Sequence, residues 1–214
     1  VELAADGASA WATSRLELYR QPALAAQFPF AAKIEMTYRL RRGELEVETR
    51  VTNRSTEPMP LSLGYHPYFQ LHDAPRDEWR VRLAARSLWT LNDKLTPTGA
   101  TEPIETRFPE RERLPLAGVT LDTVFGDLVR EAGGWARFAV EGKREKIEVL
   151  YGEKFDTAVV YAPPGAGREY ICFEPMAGIT NAFNLAHEGK FPAPQSVPPG
   201  GEWRERFVVR VSGF

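Results

Sequence analysis

Alternating apolar and polar residues form the clearest pattern along the chain. Every second residue from Ile34 to Leu40 is apolar, and the alternation resumes between Leu45 and Val51. A short connection that contains Gly43 separates the two runs. Two alternating runs around a glycine-containing turn are typical of a β-hairpin with one buried and one solvated face. The sequence therefore predicts a hairpin at this place.

Other segments also have the length and apolar content of strands. They are Trp79–Leu83, Trp135–Glu141, Lys146–Tyr151, Ala158–Ala162, Tyr170–Glu174 and Trp203–Val211. Clusters of glycine and proline lie between several of them and predict turns. Helical periodicity is weak and is confined to two short segments, Ala23–Gln27 and Thr123–Glu131. Many short strands joined by such turns predict an all-β fold, either a sandwich or a barrel.

The stretch from Asn92 to Thr120 is irregular, with several prolines and many charges. Because strand patterns continue on both sides of it, we expect a long loop over one rim of the fold rather than a linker. A chain of 214 residues is long enough for one large β domain. The expected organisation is therefore a single domain over residues 1–214.

Charge and hydropathy narrow the range of partners. The formal net charge is -2, and the 27 basic and 29 acidic residues are spread without a basic block. This distribution indicates neither a nucleic-acid groove nor attraction to an anionic membrane. No apolar run approaches the roughly 18 residues that a bilayer span needs. We expect a small ligand selected by shape and hydrogen bonds, with no nucleic-acid or membrane partner.

The cysteine and histidine content makes several kinds of site improbable. Cys172 is the only cysteine, which excludes an internal disulfide and favours a reducing compartment, the cytoplasm. It lies in an apolar strand, where a buried structural role is expected. The three histidines, His66, His72 and His187, lack metal-ligand spacing. A P-loop, a dinucleotide fingerprint and a nucleophile elbow are absent too, so we expect no metal and no cofactor.

The segment Gly64–Leu71 places one imidazole among aromatic rings, with His66 close to Tyr68 and Phe69. Imidazole can donate or accept a proton near neutral pH, which suits general acid–base catalysis. Aromatic rings suit the apolar faces of sugars, so Tyr68 and Phe69 are candidate substrate-binding residues. The alternative is a core histidine in an aromatic cluster, which composition alone slightly favours.

Two carboxylates are further candidates. Glu174 ends an apolar strand just before Pro175. A buried carboxylate is costly unless it is used, and partial burial would raise its pKa into the range of a general base. A salt-bridged structural glutamate is an equally good interpretation. Asp122 could bind sugar hydroxyls, although capping of the short helix expected after it is the favoured interpretation.

Taken in order, several segments resemble the aldose 1-epimerase (galactose mutarotase-like) family. They are Val51–Asn53, Gly64–Phe69, Leu121–Phe125, Phe173–Pro175 and Val197–Glu202. The resemblance extends over nearly the whole chain. It implies a large antiparallel β-sandwich that holds a sugar in an open cleft on one face.

The resemblance also implies a chemistry. His66 matches the general acid that acts on the ring oxygen, and Glu174 matches the general base that removes the proton of the anomeric hydroxyl. Asp122 matches a carboxylate that binds sugar hydroxyls. The ring opens to an aldehyde, the C1–C2 bond rotates, and closure gives the other anomer without a metal or cofactor. We expect His66 and Glu174 to stand on opposite sides of the sugar ring, with Asp122 at its edge.

One feature departs from the family pattern. Its members carry an earlier segment with an arginine and a second histidine, but no histidine precedes His66 here. Arg15 and Arg20 lie too close to the hairpin to match that segment. We therefore expect that the chain lacks the N-terminal portion of a longer protein.

Three alternatives to an aldose 1-epimerase stay open. A hexose-6-phosphate 1-epimerase would need cations beside its cleft. Four arginines follow His66 closely: Arg76, Arg80, Arg82 and Arg86. A non-catalytic carbohydrate-binding module would keep the aromatic residues and Asp122 but would not need the acid–base pair. A purely structural β domain would leave His66 and Glu174 far apart. The sequence does not indicate the oligomeric state.

Overall fold

The computed structural model describes residues 1–165 and 167–214. Strands make up 49% of the residues and helices 9%, and the sheets are antiparallel, so the all-β prediction is confirmed. The chain divides into two compact units. One comprises Val1–Leu61 and Gln195–Val208, and the other comprises Ser62–Pro194 and Val209–Phe214. The expectations of a single domain and of a missing N-terminal portion stay predictions.

The strands are short and follow one another closely along the described ranges. They are β1 (Glu2–Ala5), β2 (Ala10–Glu17), β3 (Ala32–Arg41), β4 (Glu44–Asn53), β5 (Met59–Leu61), β6 (Tyr68–Phe69), β7 (Arg80–Arg82), β8 (Ala85–Leu91), β9 (Pro97–Pro103), β10 (Leu114–Pro115), β11 (Leu121–Leu128), β12 (Ala136–Glu141), β13 (Lys146–Tyr151), β14 (Thr157–Ala162), β15 (Ile171–Met176), β16 (Gln195–Val197) and β17 (Glu202–Ser212). The α-helices are α1 (Pro22–Ala25) and α2 (Ala182–His187). Neither helix of the described ranges has the length and apolar content that a membrane span requires.

The first unit contains the predicted hairpin. Strands β3 and β4 pair antiparallel, with Ile34 opposite Val51 and Leu40 opposite Leu45. The connecting residues Arg42 and Gly43 have positive φ angles of 35° and 81°. A two-residue turn with positive φ matches the right-handed twist of the paired strands. The hairpin prediction is confirmed, and β1 and β2 extend the same antiparallel ladder.

The end of this hairpin is held by one buried amide. The side chain of Asn53 donates hydrogen bonds to the carbonyl oxygens of Glu57, at 2.8 Å, and Val197, at 2.9 Å. Val197 lies in β16, which pairs with β5. A buried amide that lost these acceptors would be left unsatisfied, which is costly. The Asn53 side chain therefore links two distant parts of the chain within the first unit.

The second unit is a β-sandwich, as predicted. One sheet has six strands in the order β6-β15-β14-β11-β8-β9. The facing layer of this unit contains β13, β12, β7 and β10, paired in that order. Phe138 of β12 lies 6.4 Å from Phe125 of β11 and 6.2 Å from Phe173 of β15, measured between ring centroids. Aromatic rings from both sheets thus form the core between the layers.

The helix predicted over Thr123–Glu131 is wrong, because most of this segment belongs to strand β11, which ends at Leu128. Thr123 and Phe125 point into the core, and β11 pairs with β14 on one side and β8 on the other. Pairing on both sides, together with β-branched and aromatic side chains, outweighs the weak helical pattern. Asp122 is therefore a strand residue and cannot cap a helix.

The stretch from Asn92 to Thr120 is more ordered than predicted. It contains the edge strand β9, which pairs with β8, and the short strand β10. An edge strand needs no continuous apolar face, and polar residues and prolines are common there. The sequence pattern therefore did not reveal it. The helix predicted over Ala23–Gln27 corresponds to the shorter helix α1.

Candidate functional site

A cavity of about 360 Å³ lies on the outer face of the six-stranded sheet. Antiparallel pairing puts Asp122 of β11 opposite Tyr161 of β14, and Val159 of β14 opposite Glu174 of β15. Because side chains alternate along a strand, these residues share one face of the sheet. The cavity is lined by His66, Leu91, Leu95, Asp122, Val124, Val159, Tyr161, Glu174, Met176 and Thr180.

His66 and Glu174 meet at this cavity. Nε2 of His66 lies 3.2 Å from Oε1 of Glu174. The imidazole is 50% exposed, whereas the carboxylate is 9% exposed. These positions contradict the interpretations of His66 as a core histidine and of the chain as a structural domain in which the two residues are far apart. The two side chains are in direct contact, with no gap of the size of a sugar ring between them.

Backbone hydrogen bonds hold His66 next to Glu174. The amide of Tyr65 donates to the carbonyl of Pro175, and the amide of Ala177 donates to the carbonyl of Leu63, at 3.2 Å and 2.8 Å. Gly64 also bridges to Met176, and a Cβ at Gly64 would overlap the Met176 sulfur. Glycine leaves room for the Met176 side chain at this contact. The loop that carries His66 is thus attached to the end of strand β15.

The environment of Glu174 changes its acidity. Burial raises the pKa of this carboxyl to about 7, and the negative charge of Asp122 adds to the effect. The expectation that burial raises the pKa of Glu174 is confirmed. A group with a pKa near neutrality exchanges protons efficiently in both directions at physiological pH. Among the described residues, the His66 imidazole contacts this carboxyl, and no arginine or lysine pairs with it.

The two aromatic candidates lie on opposite faces of the sheet. The Tyr68 ring stacks on the His66 ring, with centroids 4.9 Å apart and planes at 16°. Phe69 instead contacts Phe173 of the core, with ring centroids 6.1 Å apart. Consecutive strand residues point to opposite sides, so both could not reach the cavity. The structure places Tyr68 against His66, although Tyr68 is not among the described residues that line the cavity, and gives Phe69 a packing contact with the core.

The cavity also includes residues that the sequence motifs did not reveal. Asp122 is exposed at its edge, as expected from the family resemblance. Tyr161 lies beside Asp122 on the neighbouring strand, and its ring approaches His66 edge-on at 6.3 Å. The alternation of Val159 and Tyr161 along β14 was a usable signal. Without the strand register, however, it could not place Tyr161 next to His66.

Three side chains of the site could contact one cation. Ligand atoms of His66, Cys172 and Glu174 all lie within 4.8 Å of one another. Burial, with a smaller contribution from Glu174, raises the pKa of the Cys172 thiol to about 12. A metal would have to displace this tightly held proton, which weakens binding. The expectation that the protein binds no metal stays a prediction.

The four arginines that follow His66 serve other contacts. Arg76 is buried and donates to the carbonyl oxygens of Leu116, Val119 and Ala162. Arg80 and Arg82 line a separate charged groove, and Arg86 pairs with Asp127 at 3.4 Å. None of the four is among the described residues that line the cavity of His66 and Glu174.

Comparisons with known proteins agree with this architecture. The uncharacterized protein YihR of Escherichia coli K12 is 22% identical over 160 residues, which are 73% of this chain and 50% of YihR. A galactose mutarotase-like protein from Clostridium acetobutylicum superposes with a TM-score of 0.86 at 19% identity, over 100% of this chain and 66% of that chain. The galactose 1-epimerase of Lactobacillus acidophilus superposes with a TM-score of 0.75 at 13% identity. This match covers 100% of this chain and 66% of that chain.

The chain spans half the length of this curated relative and about two thirds of these solved structures. The structural matches confirm the predicted galactose mutarotase-like fold. The sequence model of the family described as aldose 1-epimerase matches residues 8–210. This match covers most of the chain and confirms the resemblance carried by the sequence motifs, so the chain belongs to the aldose 1-epimerase family.

Proposed function

We propose that this protein interconverts the α and β anomers of an unphosphorylated aldose, with Glu174 and His66 as its acid–base pair. The observation that carries the proposal is the 3.2 Å contact between the two side chains in an open cavity. The Glu174 pKa of about 7 makes this carboxyl a competent proton acceptor and donor near neutrality. Imidazole is the side chain best suited to complement it.

The geometry supports a simple proton exchange. The Glu174 carboxylate takes the proton of the anomeric hydroxyl while the His66 imidazolium protonates the ring oxygen. The bond between C1 and the ring oxygen then breaks and leaves an aldehyde. After rotation about C1–C2, the hydroxyl at C5 attacks the other face of the carbonyl. His66 recovers its proton from that hydroxyl, and Glu174 returns its proton to the new anomeric oxygen.

The direct contact between the pair fits this exchange. The anomeric oxygen and the ring oxygen are bonded to the same carbon, so the two catalytic groups must work close together. A bound sugar would replace the present contact with one hydrogen bond to each group. Asp122 would accept a hydrogen bond from another hydroxyl at the edge of the cavity, and Tyr68 and Tyr161 would add aromatic surface.

Charge favours a neutral sugar over a sugar phosphate. The described residues that line the cavity include two carboxylates, Asp122 and Glu174, and no lysine or arginine. A phosphate group would be repelled there, since phosphate sites depend on cationic side chains. The arginines that follow His66 in the sequence make their contacts elsewhere. A cytoplasmic location, favoured by the single cysteine, stays a prediction.

Polarimetry tests the proposal. The mutarotation rates of fresh α-glucose and α-galactose are measured with wild-type protein and with the Glu174→Gln and Glu148→Gln variants. Glu148 is a matched control, since it pairs with Arg137 and Lys146 away from the cavity. We expect acceleration by wild type, its retention in Glu148→Gln, and a loss of roughly 100-fold or more in Glu174→Gln.

Two results would contradict the proposal. Full activity of Glu174→Gln would show that Glu174 is not the base. Sugar binding by calorimetry without any acceleration by wild-type protein would instead identify a carbohydrate-binding module.

A further inference from the structure

The His66 imidazole is held by aromatic rings as well as by Glu174. Tyr68 stacks on the imidazole, with centroids 4.9 Å apart and planes at 16°. Tyr161 meets it edge-on, with centroids 6.3 Å apart and planes at 70°. Strand pairing sets both tyrosines beside one residue, since Cys172 lies opposite Tyr68 on one side and opposite Tyr161 on the other. The small, buried Cys172 side chain leaves room between the two tyrosines, and the imidazole occupies that room.

These ring contacts matter most once a sugar is bound. The imidazole belongs to a loop residue and is 50% exposed, and it lies 3.2 Å from the Glu174 carboxylate. In the proposed reaction, a sugar replaces this contact with one hydrogen bond to each group. The backbone bonds of the loop fix the position of His66 but leave its side chain free to rotate. The neighbouring rings therefore decide whether the imidazole points at the ring oxygen of the sugar.

Tyr68 by itself gives the imidazole little support. It is 61% exposed and lies in β6, a strand of two residues at the edge of the six-stranded sheet. Exposed side chains change rotamer on the picosecond-to-nanosecond timescale unless a neighbour restrains them. The stack on His66 thus depends on a residue that restrains the Tyr68 ring.

Tyr170 is in a position to provide this restraint. It directly precedes strand β15 and is half-buried. Its ring centroid lies 5.2 Å from that of Tyr68 and 6.2 Å from that of Tyr161, with planes tilted by 56° and 47°. Such tilted pairs are favourable at these distances. Tyr170 and Tyr161 also share a side-chain hydrogen bond. The three tyrosines and His66 therefore form a closed ring of contacts.

We propose that Tyr170 is a positioning residue of the reaction, which restrains Tyr68 and Tyr161 and through them fixes the direction of the His66 imidazole. Tyr170 is not among the described residues that line the cavity. Its effect is therefore on the rate of proton transfer and not on the affinity for the sugar. The inference rests on the proposed function, because that function assigns His66 as the general acid.

Mutarotation kinetics of galactose and glucose test the role of Tyr170. Tyr170→Leu removes both ring contacts, whereas Tyr170→Phe keeps the ring and loses the hydrogen bond with Tyr161. Tyr38→Leu is a matched control, since Tyr38 is an exposed tyrosine of the first unit. We expect Tyr170→Leu to lower kcat roughly tenfold and to change KM less than about twofold. Tyr170→Phe should lower kcat about twofold, and Tyr38→Leu should match wild type.

A second variant tests the route through Tyr68. Tyr68→Leu removes the stacked ring directly at an exposed position, where the fold tolerates the change. It should lower kcat to a similar extent as Tyr170→Leu. Because both changes disturb the same stack, their effects on kcat should not multiply in the double variant.

Proton NMR gives a readout that does not depend on turnover. The chain has three histidines, and the His66 resonances are assigned by their loss in His66→Gln. A tyrosine ring stacked on an imidazole shifts the imidazole proton resonances upfield. We expect this shift in wild type, Tyr38→Leu and Tyr170→Phe. It should be lost in Tyr68→Leu and largely lost in Tyr170→Leu.

Three results would overturn the inference and leave the proposed function intact. A wild-type kcat in Tyr170→Leu would show that the reaction does not need the Tyr170 ring. A higher KM at an unchanged kcat would make Tyr170 a substrate-binding residue. A lower kcat with an unmoved His66 resonance would show that Tyr170 does not act through the imidazole. Absence of acceleration by wild-type protein would instead overturn the proposed function, and the role of Tyr170 with it.

Discussion

Two glutamates of the second unit, Glu148 and Glu174, lie next to side chains of different charge. Glu148 lines the charged groove and contacts Arg137 at 3.0 Å and Lys146 at 2.8 Å. Glu174 contacts the His66 imidazole at 3.2 Å, and the negative charge of Asp122 also acts on it. Both glutamates are largely buried, at 19% and 9% side-chain exposure. Glu174 is the more deeply buried of the two, and the two carboxylates also differ in the charge of their partners.

The partner reverses the effect of burial on acidity. Burial alone raises the pKa of both carboxyls, because it disfavours the charged form. At Glu148, hydrogen bonds from Lys146 and Arg137 more than offset burial, and the pKa is lowered. At Glu174 no arginine or lysine of the described residues offsets burial, and the pKa is raised to about 7. A carboxylate paired with arginine or lysine stays ionised at neutral pH. A buried carboxylate without such a partner has a pKa near neutrality, which suits proton transfer.

This contrast shows that size and charge alone do not identify a reactive site. The charged groove has a volume of about 400 Å³, similar to that of the site cavity at about 360 Å³. Most of its charged side chains pair with an opposite charge, as Arg137 does with Glu148 and Arg113 does with Glu141. At the site, the neighbours of Glu174 on that face include the aliphatic residues Val159 and Met176. Aliphatic surroundings exclude water and strengthen the shift.

The largest effect on stability is expected for Glu174→Gln. Because the pKa of Glu174 is raised from 4.5 to about 7, its stabilising contribution is full below pH 4.5 and is lost as the pH rises through 7. Above pH 7 the uncharged variant should therefore be more stable than wild type, by up to about 3 kcal/mol. Urea unfolding between pH 5 and pH 8 measures this difference, which should shrink in acid. If the variant is less stable than wild type at pH 8, the ionised Glu174 carboxylate must make a favourable contact that outweighs the cost of burying its charge.

A smaller effect is expected for Asp122→Asn. The charge of Asp122 is the second contribution to the raised pKa of Glu174, after burial. Removing it should lower the pKa of Glu174 and move the acid limb of the kcat/KM profile to lower pH. Loss of a charged hydrogen-bond acceptor should also raise KM about tenfold. If the acid limb does not move, the charge of Asp122 does not influence the pKa of Glu174.

The smallest effect is expected for Arg137→Gln in the charged groove. Arg137 pairs with Glu131 and Glu148 and lowers the pKa of both. These pairs stabilise the fold only while the carboxylates are ionised, so their contribution is lost as the pH falls through the lowered pKa values. About 1 kcal/mol of stability at pH 7 should be lost, since the pairs are partly exposed to solvent. The mutarotation rate should be unchanged. A slower reaction would show that the charged groove contributes to catalysis.

Much of the fold was predictable from local patterns. The β3–β4 hairpin was predicted because alternation and turn chemistry are properties of consecutive residues. The strand that carries Glu174 was predicted from its length and apolar content, which are also properties of consecutive residues. Strand β11 was assigned to a helix because its apolar residues do not alternate cleanly. Both its faces are largely covered, and pairing with two neighbouring strands determined its conformation.

The candidate site was predictable only in part. His66, Glu174 and Asp122 were identified from short motifs, and the structure places all of them at one cavity. Tyr161 was missed, and Phe69 was included although it packs against the core. Both errors concern the face of a strand on which a residue lies. That face depends on how distant strands align, which no short motif records.

The sequence by itself determined the all-β class, the family and the residues able to transfer protons, because alternation, turns and motifs are local properties. Only the tertiary structure decided that His66 touches Glu174 and that the arginines lie elsewhere. The reason is physical: strand register joins residues far apart in the chain, and a shift in pKa depends on the water and charges that this packing removes or brings close.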